Sequence, residues 1–209
     1  MLFGRQTPTM VSPGEALPGR DRPLEVPETH HVTGRPIVPP WPDEHELLVL
    51  GLGCFWGPER IYWQLPGVWT TFVGYAGGYT PNPTYEETCT GRTGHAEVVG
   101  VVYDPQEIDL ESLLAAFWEN HDPTQPMGQG NDIGTQYRSI VLTTTDEQRR
   151  VAEASRDRYQ RKLTENGFGA ITTTVEPLDH LYWAEGYHQQ YLAKNPRGYC
   201  NHGFCQVAY

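Results

Sequence analysis

Proline is concentrated at one end of the chain, and this limits where regular structure can form. Nine of the eighteen prolines lie within residues 1–42 of a 209-residue chain. Each proline lacks a backbone N–H donor and restricts the residue before it, so this segment cannot supply a core strand or helix. We therefore predict an extended arm over residues 1–45, either disordered or wrapped over a domain. The domain is expected at 46–194, followed by a flexible tail at 195–209.

The composition fits a globular domain and excludes two classes of partner. Hydrophobic residues make up 38% of the chain, and six Trp, twelve Tyr and six Phe can fill a sizeable core. With 15 basic and 26 acidic residues the formal charge is -11, so neither nucleic acid nor an anionic membrane is an expected partner. No apolar run approaches the ~20 residues of a membrane span, and no secretory leader is recognisable. We expect a cytoplasmic protein.

Hydrophobic patterns and turn residues predict alternating strands and helices with long loops between them. Asp109 and Thr145 are suited to cap helices, the latter in a capping box with Gln148. The order βαβ, then βαβ and one further αβ unit, indicates an α/β (α+β) fold with a ferredoxin-like split-βαβ core and a mixed sheet. Strands are expected at 47–52, 68–75, 96–103, 138–143 and 170–176, and helices from Pro58 and over about 109–120, 145–166 and 184–194.

The four cysteines, Cys54, Cys89, Cys200 and Cys205, are too few for a disulfide scaffold and are expected to be reduced at rest. They are therefore inert core thiols, metal ligands or groups with redox or nucleophilic chemistry. The nearest approach to a metal motif is Cys200 and Cys205 with His202 between them, and zinc there would need a fourth ligand from elsewhere. We predict no metal site and no cofactor.

Cys54 has the most informative position of the four cysteines. It lies where the apolar run 47–52 gives way to residues suited to the first turn of a helix. Sulfur at such a junction can face the free N–H groups of the helix, whose positive end favours the nucleophilic thiolate. The alternative is that Cys54, beside Phe55 and Trp56, simply belongs to the core.

Later segments carry further candidate groups. Glu97 lies at the start of a strand, where burial would push a carboxyl towards its neutral, proton-donating form, although an ordinary surface glutamate is the alternative. Tyr85 and Tyr137 can donate hydrogen bonds or only pack, and His95 is either a base or a structural hydrogen-bonding group. Asp132 lies in a glycine-rich loop that returns into a strand, a typical place for site residues.

Six segments in the same order resemble the peptide methionine sulfoxide reductases of the A type, which act on the S epimer of the sulfoxide. The resemblance covers roughly residues 12–205, including a proline-rich arm similar to that of long bacterial members. This activity restores methionine from its sulfoxide. The matching segments are Gly-Cys54-Phe55-Trp56-Gly, Gly-Tyr-Ala-Gly-Gly-Tyr-Thr-Pro-Asn-Pro-Thr-Tyr85, Thr-Gly-His-Ala-Glu97, Phe-Trp-Glu-Asn-His-Asp, Gly-Asn-Asp132-Ile-Gly-Thr-Gln-Tyr137 and Asn-Pro-Arg-Gly-Tyr-Cys200.

The resemblance implies a role for each of these residues. Cys54 would attack the sulfoxide sulfur, while Phe55 and Trp56 would form the apolar pocket that holds the methyl group. Glu97 would protonate the departing oxygen. In the family pattern, the hydroxyls of Tyr85 and Tyr137 assist Glu97, and the carboxylate of Asp132 orients this network.

The tail cysteines complete the implied cycle. Methionine leaves Cys54 as a sulfenic acid, and Cys200 condenses with it to a disulfide. Cys205 resembles a second recycling cysteine, which would take over the disulfide and present it to thioredoxin. Four residues separate Cys200 from Cys205, whereas those relatives usually have a longer, glycine-rich spacer between the two cysteines. Cys89 matches a position without a role in the family and is interpreted as a structural thiol.

Two other functions would use some of the same residues. A thiol peroxidase or disulfide oxidoreductase would need Cys54 and the tail cysteines, but would not explain Glu97, Tyr85 and Tyr137. A zinc-binding module at the tail would need no catalysis at all. The resemblance favours a monomeric reductase that acts on methionine-S-sulfoxide, free or in oxidised proteins and peptides, with thioredoxin as reductant.

Overall fold

A computed structural model describes residues 7–199 and 206–209. The regular elements, in chain order, are β1 (Glu46–Gly51), α1 (Trp56–Trp63), β2 (Val68–Ala76), α2 (Tyr85–Cys89), β3 (Ala96–Tyr103), α3 (Leu110–Glu119), β4 (Gly128–Gln129), β5 (Asp132–Ile133), β6 (Ile140–Thr143), α4 (Asp146–Glu165), β7 (Thr174–Pro177), β8 (Leu181–Trp183) and α5 (Tyr191–Lys194). Short 3-10 turns cover Pro13–Glu15 and Thr135–Tyr137.

Six of the strands form one mixed sheet in the order β7-β6-β1-β3-β2-β8. Strands β6 and β7 are parallel and are joined by α4, while the other neighbouring pairs are antiparallel. Both β1 and β2 run antiparallel to β3, which lies between them, so β1-α1-β2 is a split βαβ unit. The predicted ferredoxin-like core with a mixed sheet is confirmed.

The main core lies between the sheet and the helices α3 and α4. Trp118 of α3 and Tyr159 of α4 are fully buried there against the side chains of the central strands. Asp109 caps α3 by accepting the Ser112 N–H at 2.7 Å, as its position predicts. Burial of these large aromatic groups fixes the sheet, and with it the strand ends that carry the candidate site.

The cap of α4 differs from the predicted capping box. The Thr145 hydroxyl accepts the Gln148 N–H, but the Gln148 amide oxygen accepts the N–H of Thr144 instead of returning to the N–H of Thr145. Gln148 also donates to the Leu47 carbonyl of β1, so its side chain is held between the helix and the sheet. This tertiary contact replaces half of the local motif.

Four features of the elements differ from the prediction. The loop expected between 76 and 95 contains α2, which is held by a complete capping box between Thr84 and Glu87. The helix expected over about 184–194 is confined to Tyr191–Lys194, since Gln189 and Gln190 use their side chains to bind other elements. The last predicted strand begins at Thr174 instead of 170, and β8 was missed because it is only three residues long.

The described part of the arm is wrapped over the domain. Ile37 is fully buried against Phe72 and Val102 of the sheet, and its carbonyl accepts the Trp183 indole N–H of β8. His30 is also buried and lies 3.0 Å from the Thr71 hydroxyl of β2. The arm binds the domain through single side chains and isolated backbone groups, such as the N–H groups of Leu17 and Arg20, which donate to the carbonyls of Arg92 and Pro81. The division of the chain at 45 and 194 stays a prediction.

In the described parts of the chain, every helix is too short or too polar to cross a bilayer.

Candidate active site

Cys54 lies in the turn between β1 and α1. At the preceding Gly53 φ is +95°, and a Cβ there would come within 2.7 Å of Gln129, so this turn requires glycine. The Cys54 side chain is buried, with 7% of the residue exposed. Phe55 follows as the residue before the first turn of α1. The sulfur is thus held at the N-terminal end of a helix, where the helix dipole favours negative charge.

Glu97 is the second residue of β3 and is buried next to this turn. One carboxyl oxygen, Oε2, accepts the backbone N–H of Phe55 at 3.1 Å. Burial raises the pKa of Glu97 to about 8; the Phe55 hydrogen bond opposes this shift, and the charge of Asp132 adds to it. The carboxyl is therefore neutral at pH 7 and can donate a proton.

Two further hydroxyl groups come from different segments of the chain. Tyr85 is the first residue of α2 and Tyr137 is the last of the 3-10 turn that precedes β6. Burial raises the pKa of both hydroxyls, and the charges of Cys89, Glu97 and Cys54 raise them further. Both groups therefore remain protonated hydrogen-bond donors at neutral pH, and both lie within electrostatic reach of the cysteine and the carboxyl.

Asp132 connects this group to the residue before the first tail cysteine. It lies in β5 of the small β4–β5 hairpin, and its Oδ1 accepts the hydroxyl proton of Tyr199 at 3.0 Å. The other oxygen, Oδ2, is buried and has no hydrogen-bond partner among residues 7–199 and 206–209. A buried carboxylate oxygen of this kind suits a water molecule or a substrate group.

Aromatic rings line the side of the site formed by α1. Phe55 is buried against Tyr75 with ring centroids 5.9 Å apart, and the half-buried Trp56 stacks on Tyr191 at 3.9 Å. His188 lies behind both rings, 5.1 Å from Phe55 and 5.7 Å from Trp56. This surface is suited to a small apolar group such as a thioether methyl.

Other sequence candidates have different environments. His95 is buried as a structural group: its Nδ1 accepts the Gly78 N–H and its Nε2 donates to the Thr80 carbonyl. Cys89, interpreted above as structural, is a free, exposed cysteine at the end of α2. Cys200 and Cys205 lie outside the described residues. Among the described residues, no three His, Cys, Asp or Glu side chains are grouped as metal ligands would be.

Two residues of the site were not identified from the sequence. Glu185, which accepts the Tyr85 N–H, and His188 lie in the segment between β8 and α5, where a helix was expected. Nothing in the sequence singles out one histidine among eight, and Glu185 looks like an ordinary surface carboxylate. A signal was present only at α2, where the spacing of Thr84 and Glu87 is that of a capping box and places Tyr85 in the first turn.

A buried thiol at the start of a helix, a neutral carboxyl and two hydroxyl donors together suit one type of reaction. Sulfur attacks an electrophile, and an oxygen atom that needs a proton departs. The aromatic wall adds a place for an apolar substituent on the electrophile. These features define a thiol-dependent enzyme.

Comparisons with known proteins agree on the type of enzyme. The family model described as peptide methionine sulfoxide reductase matches residues 46–207. A peptide methionine sulfoxide reductase MsrA of Brucella anthropi is 60% identical over 196 residues, which cover 94% of this chain and 90% of that protein. The structure of methionine sulfoxide reductase A of Corynebacterium diphtheriae superposes with a TM-score of 0.88 and 44% identity, covering 97% of this chain and 100% of that one.

One further solved structure includes a partner. It is that of Mxr1 from Saccharomyces cerevisiae in complex with Trx2, with a TM-score of 0.53 and 25% identity over 74% of this chain and 90% of that one. The chain belongs to the peptide methionine sulfoxide reductase family. It is an oxidoreductase that reduces methionine sulfoxide, which confirms the prediction from the sequence.

Because Glu97 is buried in its protonated, neutral form, the stability of the protein should depend on pH in a specific way. Because the pKa of Glu97 rises from 4.5 to about 8 on folding, the folded chain holds a proton that the unfolded chain releases. The free energy of unfolding therefore falls as pH rises from 4.5 to 8. Glu97→Gln cannot ionise and can still accept the Phe55 N–H. We therefore expect its free energy of unfolding to exceed that of wild type by roughly 2–4 kcal/mol at pH 8 but not at pH 4.

Urea denaturation at both pH values measures this difference. Glu86→Gln is the matched control, since Glu86 is exposed and substitutions at exposed positions usually change the free energy of unfolding by less than about 0.5 kcal/mol. A Glu97→Gln variant that is less stable than wild type at pH 8 would contradict the neutral, buried carboxyl.

Proposed function

We propose that this enzyme reduces the S epimer of methionine sulfoxide, free or in oxidised proteins and peptides, with Cys54 as its nucleophile. The observation that carries the proposal is the hydrogen bond from the Phe55 N–H to Glu97, because it joins the cysteine turn directly to a protonated carboxyl. The residue next to the nucleophile is thereby in direct contact with the acid. The epimer preference is inferred from the A-type signature around Cys54.

The first step transfers oxygen from one sulfur to another. The Cys54 sulfur attacks the partly positive sulfoxide sulfur while the carboxyl of Glu97 gives its proton to the sulfoxide oxygen. The hydroxyls of Tyr85 and Tyr137 hold that oxygen by hydrogen bonds, and Phe55 and Trp56 enclose the methyl group. The sulfur–sulfur bond formed by this attack breaks when the oxygen, released as hydroxide, attacks the Cys54 sulfur. Methionine leaves with the bonding electron pair, Glu97 is left ionised, and Cys54, oxidised by two electrons, is a sulfenic acid.

The second stage regenerates the thiol. The Cys200 thiol attacks the Cys54 sulfenic acid, a disulfide forms and water leaves. Cys205 then exchanges with this disulfide to give a Cys200–Cys205 bridge. Support for the order comes from Tyr199, whose hydrogen bond to Asp132 holds the residue next to Cys200 at the site.

The reductant is proposed to be thioredoxin, whose dithiol takes up the disulfide by exchange. The support is the relative from Saccharomyces cerevisiae, which was solved in complex with Trx2. We further propose that the chain acts as a monomer in the cytoplasm, where thiols are kept reduced. Light scattering of the purified protein tests the monomer.

Replacing the nucleophile tests the assignment of Cys54. Because a hydroxyl is a far weaker nucleophile near neutral pH, Cys54→Ser should release no methionine from an S-sulfoxide peptide. Methionine release is measured in a single turnover, and circular dichroism checks that the variant is folded. Activity well above background in a folded Cys54→Ser protein would overturn the proposed mechanism.

The proton donor is tested by the pH dependence of the first step. With the pKa of Glu97 near 8, the single-turnover rate should be level at lower pH and fall as pH rises through about 8. Glu97→Gln should lower the rate by about 10²–10⁴-fold and remove this decline. Glu86→Gln should keep both rate and profile. A Glu97→Gln rate equal to that of wild type would exclude Glu97 as the acid.

The order of the tail cysteines is tested by two serine variants. Cys200→Ser should release about one methionine per enzyme and then stall as a sulfenic acid, because the first step needs only Cys54. Cys205→Ser should accumulate a Cys54–Cys200 disulfide, which peptide mapping identifies, and turn over slowly with thioredoxin. A Cys54–Cys205 bridge as the main wild-type product, with no effect of Cys200→Ser, would reverse the order.

A further inference from the structure

Helix α2 carries Tyr85 but is too short to hold its own position. It has five residues, and an isolated helix of that length is unstable in water. Its capping box satisfies two backbone donors, since Thr84 accepts the Glu87 N–H and Glu87 accepts the Thr84 N–H. The N–H of Tyr85, the first helical residue, remains to be satisfied by a group outside the helix.

Glu185, from the segment between β8 and α5, supplies that group. Its Oε1 accepts the Tyr85 N–H at 2.8 Å, and its Oε2 accepts the hydroxyl proton of Tyr75 at 2.9 Å. Tyr75 is fully buried in β2, so the carboxylate joins the start of α2 to the rigid sheet. A negative charge at a helix N-terminus also adds a favourable interaction with the helix dipole.

The same carboxylate faces the histidine that supports the aromatic wall. The Trp56 indole N–H can only donate, and it lies 3.1 Å from Nδ1 of His188, so this nitrogen accepts and the ring proton is on Nε2. Burial lowers the pKa of His188 to about 4, which keeps the ring neutral at pH 7. Its Nε2 lies 3.9 Å from Oε2 of Glu185, and its ring packs 4.6 Å from that of Tyr85.

We propose that Glu185 is a positioning residue of this reductase, which fixes the Tyr85 hydroxyl over the sulfoxide oxygen. Its carboxylate also lies beside His188, the residue that accepts the Trp56 indole N–H. This partly buried carboxylate thus anchors the half of the site that holds the oxygen, and the neutral ring of His188 lies between it and the half that holds the methyl group. The inference rests on the role proposed above for Tyr85 and concerns a residue that does not touch the substrate.

The backbone around the anchor is held independently of Glu185. Gln189 exchanges two hydrogen bonds with the backbone of Val73 in β2, and Gln190 donates both its N–H and its side-chain amide to Glu59 of α1. Glu185 variants should therefore keep the segment in place, and their effect should arise at the start of α2.

A double-mutant cycle tests the inference. Glu185→Ala removes both acceptors and should lower the single-turnover rate of sulfoxide reduction by about tenfold to a hundredfold, a typical effect of misplacing a reacting group. The KM for the sulfoxide should change much less, because the aromatic wall is intact. In a Tyr85→Phe background the hydroxyl is already absent, so the same Glu185→Ala change should have little further effect.

Two further variants serve as controls. Glu185→Gln keeps an acceptor for the Tyr85 N–H and should recover most of the rate lost in Glu185→Ala. Glu86→Ala removes an exposed carboxylate from the same helix and should leave the rate within about twofold of wild type. Urea denaturation of each variant separates loss of fold from loss of rate.

The outcomes separate this inference from the proposed function. If Tyr85→Phe has the wild-type rate, the proposed role of Tyr85 is wrong and the inference fails with it. If Tyr85→Phe is slow but Glu185→Ala lowers the rate equally in both backgrounds, Tyr85 keeps its role and the inference alone is overturned. Loss of rate in Glu185→Ala with recovery in Glu185→Gln, confined to the background that contains Tyr85, supports it.

Discussion

The site depends on one hydrogen bond between a backbone amide and a buried carboxyl. The Phe55 N–H belongs to the turn that carries Cys54, and its acceptor, Glu97, belongs to β3 at the centre of the sheet. This contact fixes the distance between nucleophile and acid, although 42 residues separate Phe55 from Glu97 in the sequence. Because the sheet core is filled with large, fully buried aromatic and aliphatic side chains, the geometry of the pair is set by a closely packed part of the molecule.

The sequence predicted what depends on local pattern. The split-βαβ core followed from the alternation of apolar runs and helix caps, and Cys54 stood out because a strand, a glycine and a helix start meet at one residue. The sequence did not predict the roles of Glu185 and His188, because these depend on contacts with Tyr85 and Trp56, which are about 100 and 132 residues away. Local sequence contains no trace of such a pairing.

A buried neutral carboxyl is also a source of instability. Burial raises the pKa of Glu97 and of Glu59 in α1 to about 8, and in both cases the hydrogen bonds that the carboxyl accepts oppose the shift. Each group therefore destabilises the folded chain as pH rises from 4.5 to 8. For Glu97 this cost is inseparable from its proposed use, because the property that makes it a proton donor at neutral pH is the same burial.

Glu59 links the site to the N-terminal arm through a chain of hydrogen bonds. Its two oxygens hold Gln190, whose backbone has a φ of 51°, a conformation that a non-glycine residue keeps only when its surroundings enforce it. The side-chain oxygen of Gln190 in turn accepts the N–H of His31. The arm is thus hydrogen-bonded to the segment that carries Glu185 and His188, and that segment is hydrogen-bonded to α1. The proline-rich arm, which supplies no core strand or helix, still contributes to the site, because its hydrogen bond to Gln190 helps to hold the segment that contains Glu185 and His188.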